Sequence, residues 1–341
     1  MASKLIVEPL PSPTQRLIRL LTTEKKDIGY IFLYAIITGA ISLSLPLGTQ
    51  AVFTLVSSGL IFSSVYVMIS LVILGIVVAG LLLVAQTTLV EVLQQRIFTK
   101  AAFEFAYRLP RIDPEALSAY HPPELMNRFF DVLTIQKGMP KLLVDITTAV
   151  VQIVFGLLLL SAYNPIFIGF SIFVALAVWL VIRVLSPSGI RTSLAESKYK
   201  YKVEAWLEEM AGALPEQRQE PDHPPIDQTE AMAKMDELVA GYLKNRQDHF
   251  KVIKRFLYSG VAFKTIVVGG LLILGTSLVV SRQMSLGQFV ASEVMIVLIT
   301  GAVDKLLSGV DTVFDMLTAV EKIATVTDLP LTTSDVEPEL H

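Results

Sequence analysis

Residues 146–182 read ITTAVVQIVFGLLLLSAYNPIFIGFSIFVALAVWLVI and contain no charged side chain. Asn164 and Pro165 divide the stretch into halves of about 18 residues each, and a helix of about 20 apolar residues crosses the hydrocarbon core of a bilayer. Asn followed by Pro is typical of a turn. The stretch therefore predicts a transmembrane hairpin, with one span on each side of the turn.

Long polar arms flank this hairpin, 91–145 before it and 183–255 after it. Because a hairpin returns to the side from which it started, both arms lie on the same side of the membrane. Of the 28 Lys and Arg residues, 24 lie in the two arms or before residue 28, and the turns at the other side carry only Arg282. Cations near span ends are retained in the cytoplasm. We therefore expect cytoplasmic arms, cytoplasmic N- and C-termini, and a multi-pass protein of the inner (plasma) membrane.

The composition excludes several classes of protein. With 53% hydrophobic and 17% charged residues, the chain is too apolar for a soluble domain. It contains no cysteine, which excludes disulfides and thiol chemistry, and its four histidines are too scattered for a local metal motif. No basic block with interleaved aromatic residues suggests a nucleic acid partner. We expect no catalytic residue, cofactor or metal on this chain.

The remaining charge-free stretches predict the other spans. Residues 28–90 hold no charge and are too long for one span, and the small residues at 57–59 mark a turn between two. Pro46, inside the first span, predicts a kink. Span five carries Lys264, which we expect to snorkel or to face the bundle interior. The predicted spans are 28–54, 62–90, 140–163, 166–186, 256–281 and 287–310.

Helical periodicity continues into the arms, taken as 91–139 and 187–255. Span two is predicted to continue as one helix to Leu109 and Pro110, and 124–143 to return as a helix. In the second arm we predict a helix at 194–214 that ends at Pro215, a tip at 216–227 and a return helix at 230–257. At 1.5 Å per residue, each arm reaches about 25–30 Å from the membrane.

The two ends of the chain differ from the six-span domain, which we place at 28–326. Within residues 1–27, Leu17, Leu20 and Leu21 recur on one helical face opposite Arg16 and Arg19. This pattern predicts an amphipathic helix at 14–26 in the cytoplasmic interface with its apolar face in lipid, or else an ordinary solvated helix. Residues 327–341 are polar and acidic, and we expect them to be disordered.

This layout, an all-α membrane protein with six spans and long cytoplasmic helical extensions, resembles the transmembrane domain of type I ABC exporters, in particular those of type I secretion. Four local segments carry the resemblance: Leu45-Pro46-Leu47 with Gln50; Tyr107-Arg108-Leu109-Pro110 followed by Pro123-Glu124-Leu125-Met126-Asn127-Arg128; Met284-Ser285-Leu286-Gly287-Gln288-Phe289; and Val320-Glu321-Lys322-Ile323. Family members usually have Gly before the Glu of the second segment, where this chain has Pro123.

The resemblance implies a permease that works with an ATPase. A phosphate-binding loop needs G-x-x-x-x-G-K-[ST], and no Gly in this chain is followed by Lys. Leu307-Ser308-Gly309 resembles an ABC signature only by coincidence, since it lies in or beside span six. We therefore expect ATP and Mg on a separate ABC ATPase subunit. The other implied partners are a second membrane subunit, in a homo- or heterodimer, a periplasmic adaptor and the lipid bilayer.

By the same resemblance, the tips of the arms would couple the chain to the ATPase. The residues assigned to coupling are Asp113, Pro114, His121, Pro122, Glu124, Leu214, Pro215, Glu216 and Gln217. For any one of them the alternative is a solvated turn residue chosen for its polarity or for Pro. Gln50, Gln86 and Glu293 are uncommon polar groups in the spans and are candidates for a substrate pathway. Each glutamine could instead form a hydrogen bond between helices. Glu293 could instead lie at the outer interface beside Arg282.

One other function remains open. The fold could have lost transport and serve as a non-catalytic membrane scaffold or regulator, which Pro123 and the proline-rich second tip favour. A secondary transporter is disfavoured, because such proteins usually have buried charges at midmembrane and spans one to four have none.

Overall fold

The computed structural model describes residues 12–59, 63–117, 122–219 and 227–332, with the side chains of 122–124 and 213–219 left out. Its helical segments long and apolar enough to cross a bilayer number six. They are Lys25–Ser57, Ser63–Arg111, Leu125–Tyr163, Pro165–Gly212, Gln228–Val280 and Leu286–Thr327. The predicted all-α architecture with six spans is confirmed.

Twelve helices build the described part of the chain. They are α1 (Pro13–Thr22), α2 (Lys25–Ser42), α3 (Ser44–Ser57), α4 (Ser63–Arg108), α5 (Pro114–Leu117), α6 (Pro122–Asn127), α7 (Asp131–Pro140), α8 (Thr147–Tyr163), α9 (Pro165–Gln219), α10 (Gln228–Val280), α11 (Leu286–Ser308) and α12 (Val310–Thr327). We call the end of the bundle from which α4, α9 and α10 extend the arm end, and the opposite end the turn end. A core of apolar side chains from α8, α9, α10 and α11 fills the bundle.

The turns between spans lie where the sequence places them. Asn164 is extended, and its side-chain Oδ1 accepts a hydrogen bond from the backbone N–H of Ile166 at 2.9 Å, which starts α9. Gly59, after α3, has a φ of +66°, a conformation that glycine adopts without steric cost. Ser285 and Gln288 form a reciprocal capping box that starts α11.

The first span is broken in the middle. α2 ends at Ser42 and α3 begins at Ser44, with Pro46 in the first turn of α3. Proline has no N–H to bond the carbonyl four residues earlier, so the helical ladder is interrupted here. The N–H of Leu43 bonds Ala40 O at 3.2 Å, which tightens the end of α2. The kink predicted at Pro46 is confirmed and takes the form of a helix break.

The return from the first tip is less regular than predicted. The helical return expected at 124–143 is confirmed, but α6, a 3₁₀ turn at Arg128–Phe130, α7 and a π-helical segment at Lys141–Ile146 share this stretch. A π-helical turn leaves backbone carbonyls poorly bonded, and side chains supply donors here. Gln86 Nε2 donates to Leu143 O at 3.2 Å, and Thr147 Oγ1 donates to Leu142 O at 3.2 Å.

The N-terminal helix packs on protein, which corrects the prediction that its apolar face lies in lipid. α1 ends at Thr22, earlier than predicted. Leu17 is 6% exposed and shares a cluster with Ile97 of α4 and Val320 of α12. Arg16 pairs with Asp328 at 2.6 Å. An amphipathic stripe fits a protein groove as well as a lipid surface, so the pattern alone could not separate the two.

The structure also corrects the predicted end of one helix and the predicted start of the disordered tail. α9 does not end at Pro215 but continues to Gln219. Pro215 therefore lies close to the end of α9, where its missing N–H removes a single ladder bond. The tail expected to be disordered from residue 327 is ordered as far as residue 332, and residues 333–341 lie outside the described part. α12 continues from the predicted end of span six at Val310. The chain therefore has a further helix at the arm end.

Candidate functional site

The first tip lies where α4 ends. A 3₁₀ turn at Leu109–Arg111 follows α4, and Arg111 stacks on the ring of Tyr107 at 4.1 Å. Asp113 is half-buried and starts α5, because its Oδ1 accepts the N–H of Glu115 at 2.8 Å. Pro114 and Glu115 are exposed. This side of the tip presents one acidic side chain and one proline to solvent.

The segment after α12 covers another side of the same tip. The N–H of Asp113 donates to Pro330 O at 3.0 Å, and the N–H of Thr332 donates to Arg111 O at 2.7 Å. Ile112, 5% exposed, pairs with Leu331 in an antiparallel bridge. A small apolar cluster completes the contact and contains Phe105, Ile112, Leu125, Val326, Leu329 and Leu331. The first tip is therefore a composite of two distant parts of the chain.

The coupling residues assigned from the sequence are only partly described. His121 lies outside the described residues. The backbones of Pro122 and Glu124 lie in α6, and those of Leu214, Pro215, Glu216 and Gln217 lie in the last turns of α9. The two groups belong to different tips, so no single site contains them all. Asp113 and Pro114 are the assigned residues whose side chains are placed, and they are adjacent in the turn before α5.

The second tip is held by aromatic and charged contacts between α9 and α10. The indole Nε1 of Trp206 donates to Ala231 O at 3.4 Å, and Lys234 lies 3.5 Å from the centre of the Trp206 ring. Lys234 also pairs with Glu209 at 3.7 Å. Asp227 caps α10 by accepting the N–H of Thr229 at 2.9 Å. These contacts fix the last turns of α9 against the first turns of α10.

A second set of contacts joins the two arms. The hydroxyl of Tyr201, on α9, donates to the carboxylate of Asp131 on α7. Lys322, on α12, lies 4.5 Å from the centre of the Tyr201 ring. Burial raises the pKa of Asp131, against the opposing effect of the Tyr201 hydroxyl. Burial and the neighbouring Asp131 also raise the pKa of Tyr201, so this hydroxyl remains a donor. The arms are thus linked through α7, α9 and α12.

A buried histidine ties α9, α10 and α12 near the membrane. His249 is 2% exposed, with Nδ1 2.9 Å from Thr192 Oγ1 and Nε2 3.0 Å from Asp311 Oδ1. Arg246, one turn away, donates to Glu196 at 3.0 Å. The hydrogen bond from His249 lowers the pKa of Asp311 despite partial burial. The cluster lies at the arm end, where three spans leave the apolar bundle.

The polar residues of the spans have different surroundings. Gln50 Oε1 accepts the Tyr163 hydroxyl at 2.7 Å and so joins α3 to α8. Gln86 is fully buried, with Nε2 bonded to carbonyls of α2 and the π-helical segment, so the structure does not place it on a pathway. Glu293 is half-buried on α11. Lys264, on α10, lies 3.4 Å from Asp304 on α11.

A family model described as the ABC transporter transmembrane region matches residues 28–214. This range is more than half of the 341 residues. The chain belongs to this family. It is a multi-pass membrane protein built on an ABC transporter membrane domain. A search of the curated proteins found no match.

The match to the ABC transporter transmembrane region runs from span one into the last turns of α9. It therefore includes the part of the first tip that follows α4 and most of both helices that lead to the tips. The composite first tip and the junction at His249 also involve α10 and α12, which lie beyond the matched range.

Several features of this membrane domain were not predicted. The sequence did not indicate that His249 contacts Thr192 and Asp311, because the three lie on different helices. Two signals could have indicated the pair of His249 and Asp311. The histidine lies on an otherwise apolar helical stripe, and the aspartate follows directly after a span. Leu329 and Leu331 alternate with Asp328, Pro330 and Thr332, and this period of two is the signal for the bridge to Ile112.

Proposed function

We propose that this chain is the permease subunit of an ABC exporter, in which two membrane subunits form a substrate pathway driven by ATP hydrolysis on a separate nucleotide-binding subunit. The observation that carries the proposal is the continuity of the long helices. α9 has 55 residues and α10 has 53, each unbroken from the apolar bundle to the second tip. A displacement at the tip is transmitted along such a helix, because its backbone hydrogen bonds make it stiff.

The tips are suited to contact a partner in the cytoplasm. The Lys and Arg residues concentrated in the arms support a cytoplasmic arm end and cytoplasmic termini in the inner membrane. The 341 residues contain no Gly-Lys pair, which supports an ATPase that holds ATP and Mg on another subunit. The second membrane subunit is a copy of this chain or a related one. A periplasmic adaptor at the turn end belongs to the same proposal, through the resemblance to secretion exporters.

A non-transporting scaffold is the second candidate, and one observation favours it. The segment Asp328–Thr332 occupies one side of the first tip through two backbone hydrogen bonds to Arg111 and Asp113. A tip covered by its own chain offers less surface to an ATPase. A scaffold would use the same arms to hold a partner complex without transmitting movement.

Co-purification separates the two candidates. An affinity-tagged chain isolated from native membranes in mild detergent should carry an ABC ATPase in equal amount and show ATPase activity. Isolation of the chain without an ATPase would contradict the permease. Isolation with other proteins instead would support the scaffold.

Charge changes at the tips test the coupling itself. Glu124→Lys and Gln217→Glu should each lower the ATPase activity of the purified complex without lowering the amount of chain in the membrane. Glu237→Lys is the matched control, because Glu237 is exposed on α10 and lies nine residues, about 14 Å, from the start of that helix. Activity unchanged by both tip variants would contradict coupling through these tips.

A further inference from the structure

A cavity of about 400 Å³ lies at the arm end between α1, α4, α7 and α12. Its floor consists of buried apolar side chains, which include Ile97 of α4, Ile135 of α7 and Val320 of α12. Leu20 adds an apolar side chain from α1. Cavities that bind small molecules have volumes of about 300–1,000 Å³ and are lined mostly by apolar side chains. The size and the lining of this cavity therefore fit a small ligand.

The cavity lies beyond the charge-free part of the spans. Ile97 follows Val90, the last residue of the charge-free stretch 28–90, by seven residues, or about 10 Å along α4. Exposed polar residues of the lining, among them Arg19 on α1 and Lys100 on α4, mark the mouth of the cavity. Hydrocarbon therefore does not account for the apolar floor, as it does for exposed apolar side chains in the spans. Water is a poor occupant, because apolar walls offer it few hydrogen bonds.

The lining is elongated along two of the helices. It extends from Ile97 to Phe105 along α4 and from Val320 to Asp328 along α12, eight residues in each case, or about 12 Å. An extended chain of tetrahedral carbons advances about 1.2 Å per bond, as an extended backbone does. The cavity is therefore long enough for an alkyl chain of about ten carbons.

The charges around the mouth leave one cation without a partner among the described residues. Each carboxylate of the lining has a cation beside it. The pairs are Glu24–Lys100, Glu104–Arg108 and Arg16–Asp328. Arg19 also belongs to the lining, and it forms no ion pair with any residue that the structure describes. The guanidinium of Arg19 is therefore available to an anionic group at the mouth of the cavity.

We propose that this cavity binds an amphiphilic anion, with a single alkyl chain along the apolar floor and a carboxylate on the guanidinium of Arg19. Arginine presents paired N–H donors that match the two oxygens of a carboxylate. The ligand contacts α1, α4, α7 and α12 at once, so it stabilises the packing of the N-terminal helix on the arm end. The site is separate from the two tips, and the inference does not depend on transport.

Photolabelling of the full chain, purified in an uncharged detergent, tests the site. The probe is dodecanoate with a diazirine at the end of its chain, used at pH 8 so that the carboxylate is ionised, and mass spectrometry locates the label. Unlabelled dodecanoate and dodecanol then compete with the probe. The ratio of their half-inhibiting concentrations measures the preference for a carboxylate. Partition into detergent cancels when this ratio is compared between variants.

We expect label on residues of the cavity, such as Phe105 and Ile323, and dodecanoate should displace it. Arg19→Gln should raise the half-inhibiting concentration of dodecanoate, relative to that of dodecanol, by about fivefold. This change corresponds to about 1 kcal/mol, the size of a partly exposed ion pair. Arg191→Gln should leave the ratio unchanged. It is the matched control, because Arg191 is exposed on α9 and is not part of the lining.

A second pair of variants tests the cavity itself. Ala101 is a small residue of the lining, and Ala101→Trp should abolish labelling because the indole occupies the space of the alkyl chain. Ala240→Trp should label as wild type does, because Ala240 is exposed on α10. Arg19→Gln changes an exposed side chain, so the test stands even if Ala101→Trp does not fold.

Four results would overturn the inference. Absence of label from the cavity of the full chain, with or without label on the spans, would show that no such ligand binds there. Equal concentration ratios in wild type and Arg19→Gln would show that Arg19 does not hold the carboxylate. Labelling that survives in folded Ala101→Trp would place the probe outside the cavity. Label that enters the cavity only after deletion of residues 1–11, which lie outside the described part, would show that the N-terminus of the chain fills it.

Discussion

His249 Nε2 lies 3.0 Å from Asp311 Oδ1 and connects α10 to α12 just outside the apolar bundle. The other ring nitrogen contacts Thr192 of α9 at 2.9 Å. The ring is buried and packs against the edge of Phe314, with the ring centres 6.2 Å apart. One side chain therefore holds together the arm-end extensions of spans four, five and six.

Replacement of His249 by Ala should destabilise the protein. The substitution removes two hydrogen bonds and leaves Thr192 and Asp311 without their shared partner, which costs about 1–3 kcal/mol for a buried polar group. Thermal unfolding of the purified protein in detergent measures the loss. Lys251→Ala is the control on the same helix, since Lys251 is 62% exposed and its ion pair among the described residues is with Asp248, three residues away. An equal melting temperature for His249→Ala and wild type would contradict the bridging role.

Asp315 makes stability near this junction depend on pH. Burial and then the charge of Asp311 raise the pKa of Asp315 from 3.8 to about 6, against the lesser opposing effects of His249 and Arg246, while Glu196 adds to the rise. Between these two values the folded state holds more protons than the unfolded state, so stability falls as the pH rises from 4 to 6 and stays low above it. Asp311 has the opposite shift, since the His249 bond holds its pKa below 3.8, and its contribution is complete throughout this window.

Asp315→Asn should remove this dependence. Wild type should lose more thermal stability than the variant when the pH is raised from 5 to 7, because only wild type must ionise a carboxyl that lies beside Asp311. The Asp315 side chain is exposed to solvent, so we expect only a modest difference. Melting temperatures of both proteins at the two pH values provide the measurement. Identical pH dependence would mean that Asp315 titrates normally.

The fold was largely predictable because membrane insertion imposes simple rules on sequence. Runs without charge such as 146–182 locate spans, and Asn164 and Gly59 mark turns for local steric reasons. The contacts of α1 and of the tail were not predictable in the same way. Leu17 and Leu331 need an apolar surface, and their own periodicity does not say whether lipid, α12 or a tip provides it.

The candidate site was less predictable than the fold. The positions of the tips could be predicted, because proline and polar residues mark the ends of the long helices. The contacts of His249 with Thr192 and Asp311 could not, because they form only after three helices pack together. For Gln86, which is polar and lies in a span, the sequence left a pathway and a bond between helices as alternatives. The structure shows the bond between helices, since Gln86 donates to Leu143 O in the π-helical segment, whose position no sequence pattern had indicated.

The tail contact at the first tip predicts a specific change in backbone dynamics. Deletion of residues 328–341 removes Pro330 O, the acceptor of the Asp113 N–H. The Asp113 amide should then exchange its hydrogen about 2- to 10-fold faster, as expected for the loss of a bond worth 0.5–1.5 kcal/mol. Deletion of residues 333–341 alone is the control, because it keeps that bond. Equal exchange in both truncated proteins would show that the tail does not hold the tip.

Two glycines of α9 should respond in opposite directions to the same substitution. A Cβ at Gly189 would lie 2.0 Å from Cε2 and 2.2 Å from Cζ of Phe314. That ring is 2% exposed and has little room to move. Gly189→Ala should therefore destabilise the protein by about 1–3 kcal/mol through overpacking.

Gly212→Ala is the matched control on the same helix, since no atom of the described residues lies within 4 Å of a Cβ at that position. There the substitution should stabilise by about 0.5–1 kcal/mol, because alanine loses less backbone entropy than glycine in a helix. Melting temperatures of the two variants should lie on opposite sides of wild type. If Gly189→Ala melted at or above the wild-type temperature, α9 and α12 would not approach as closely at Phe314 as the structure places them, and the junction around His249 would be looser than its distances indicate.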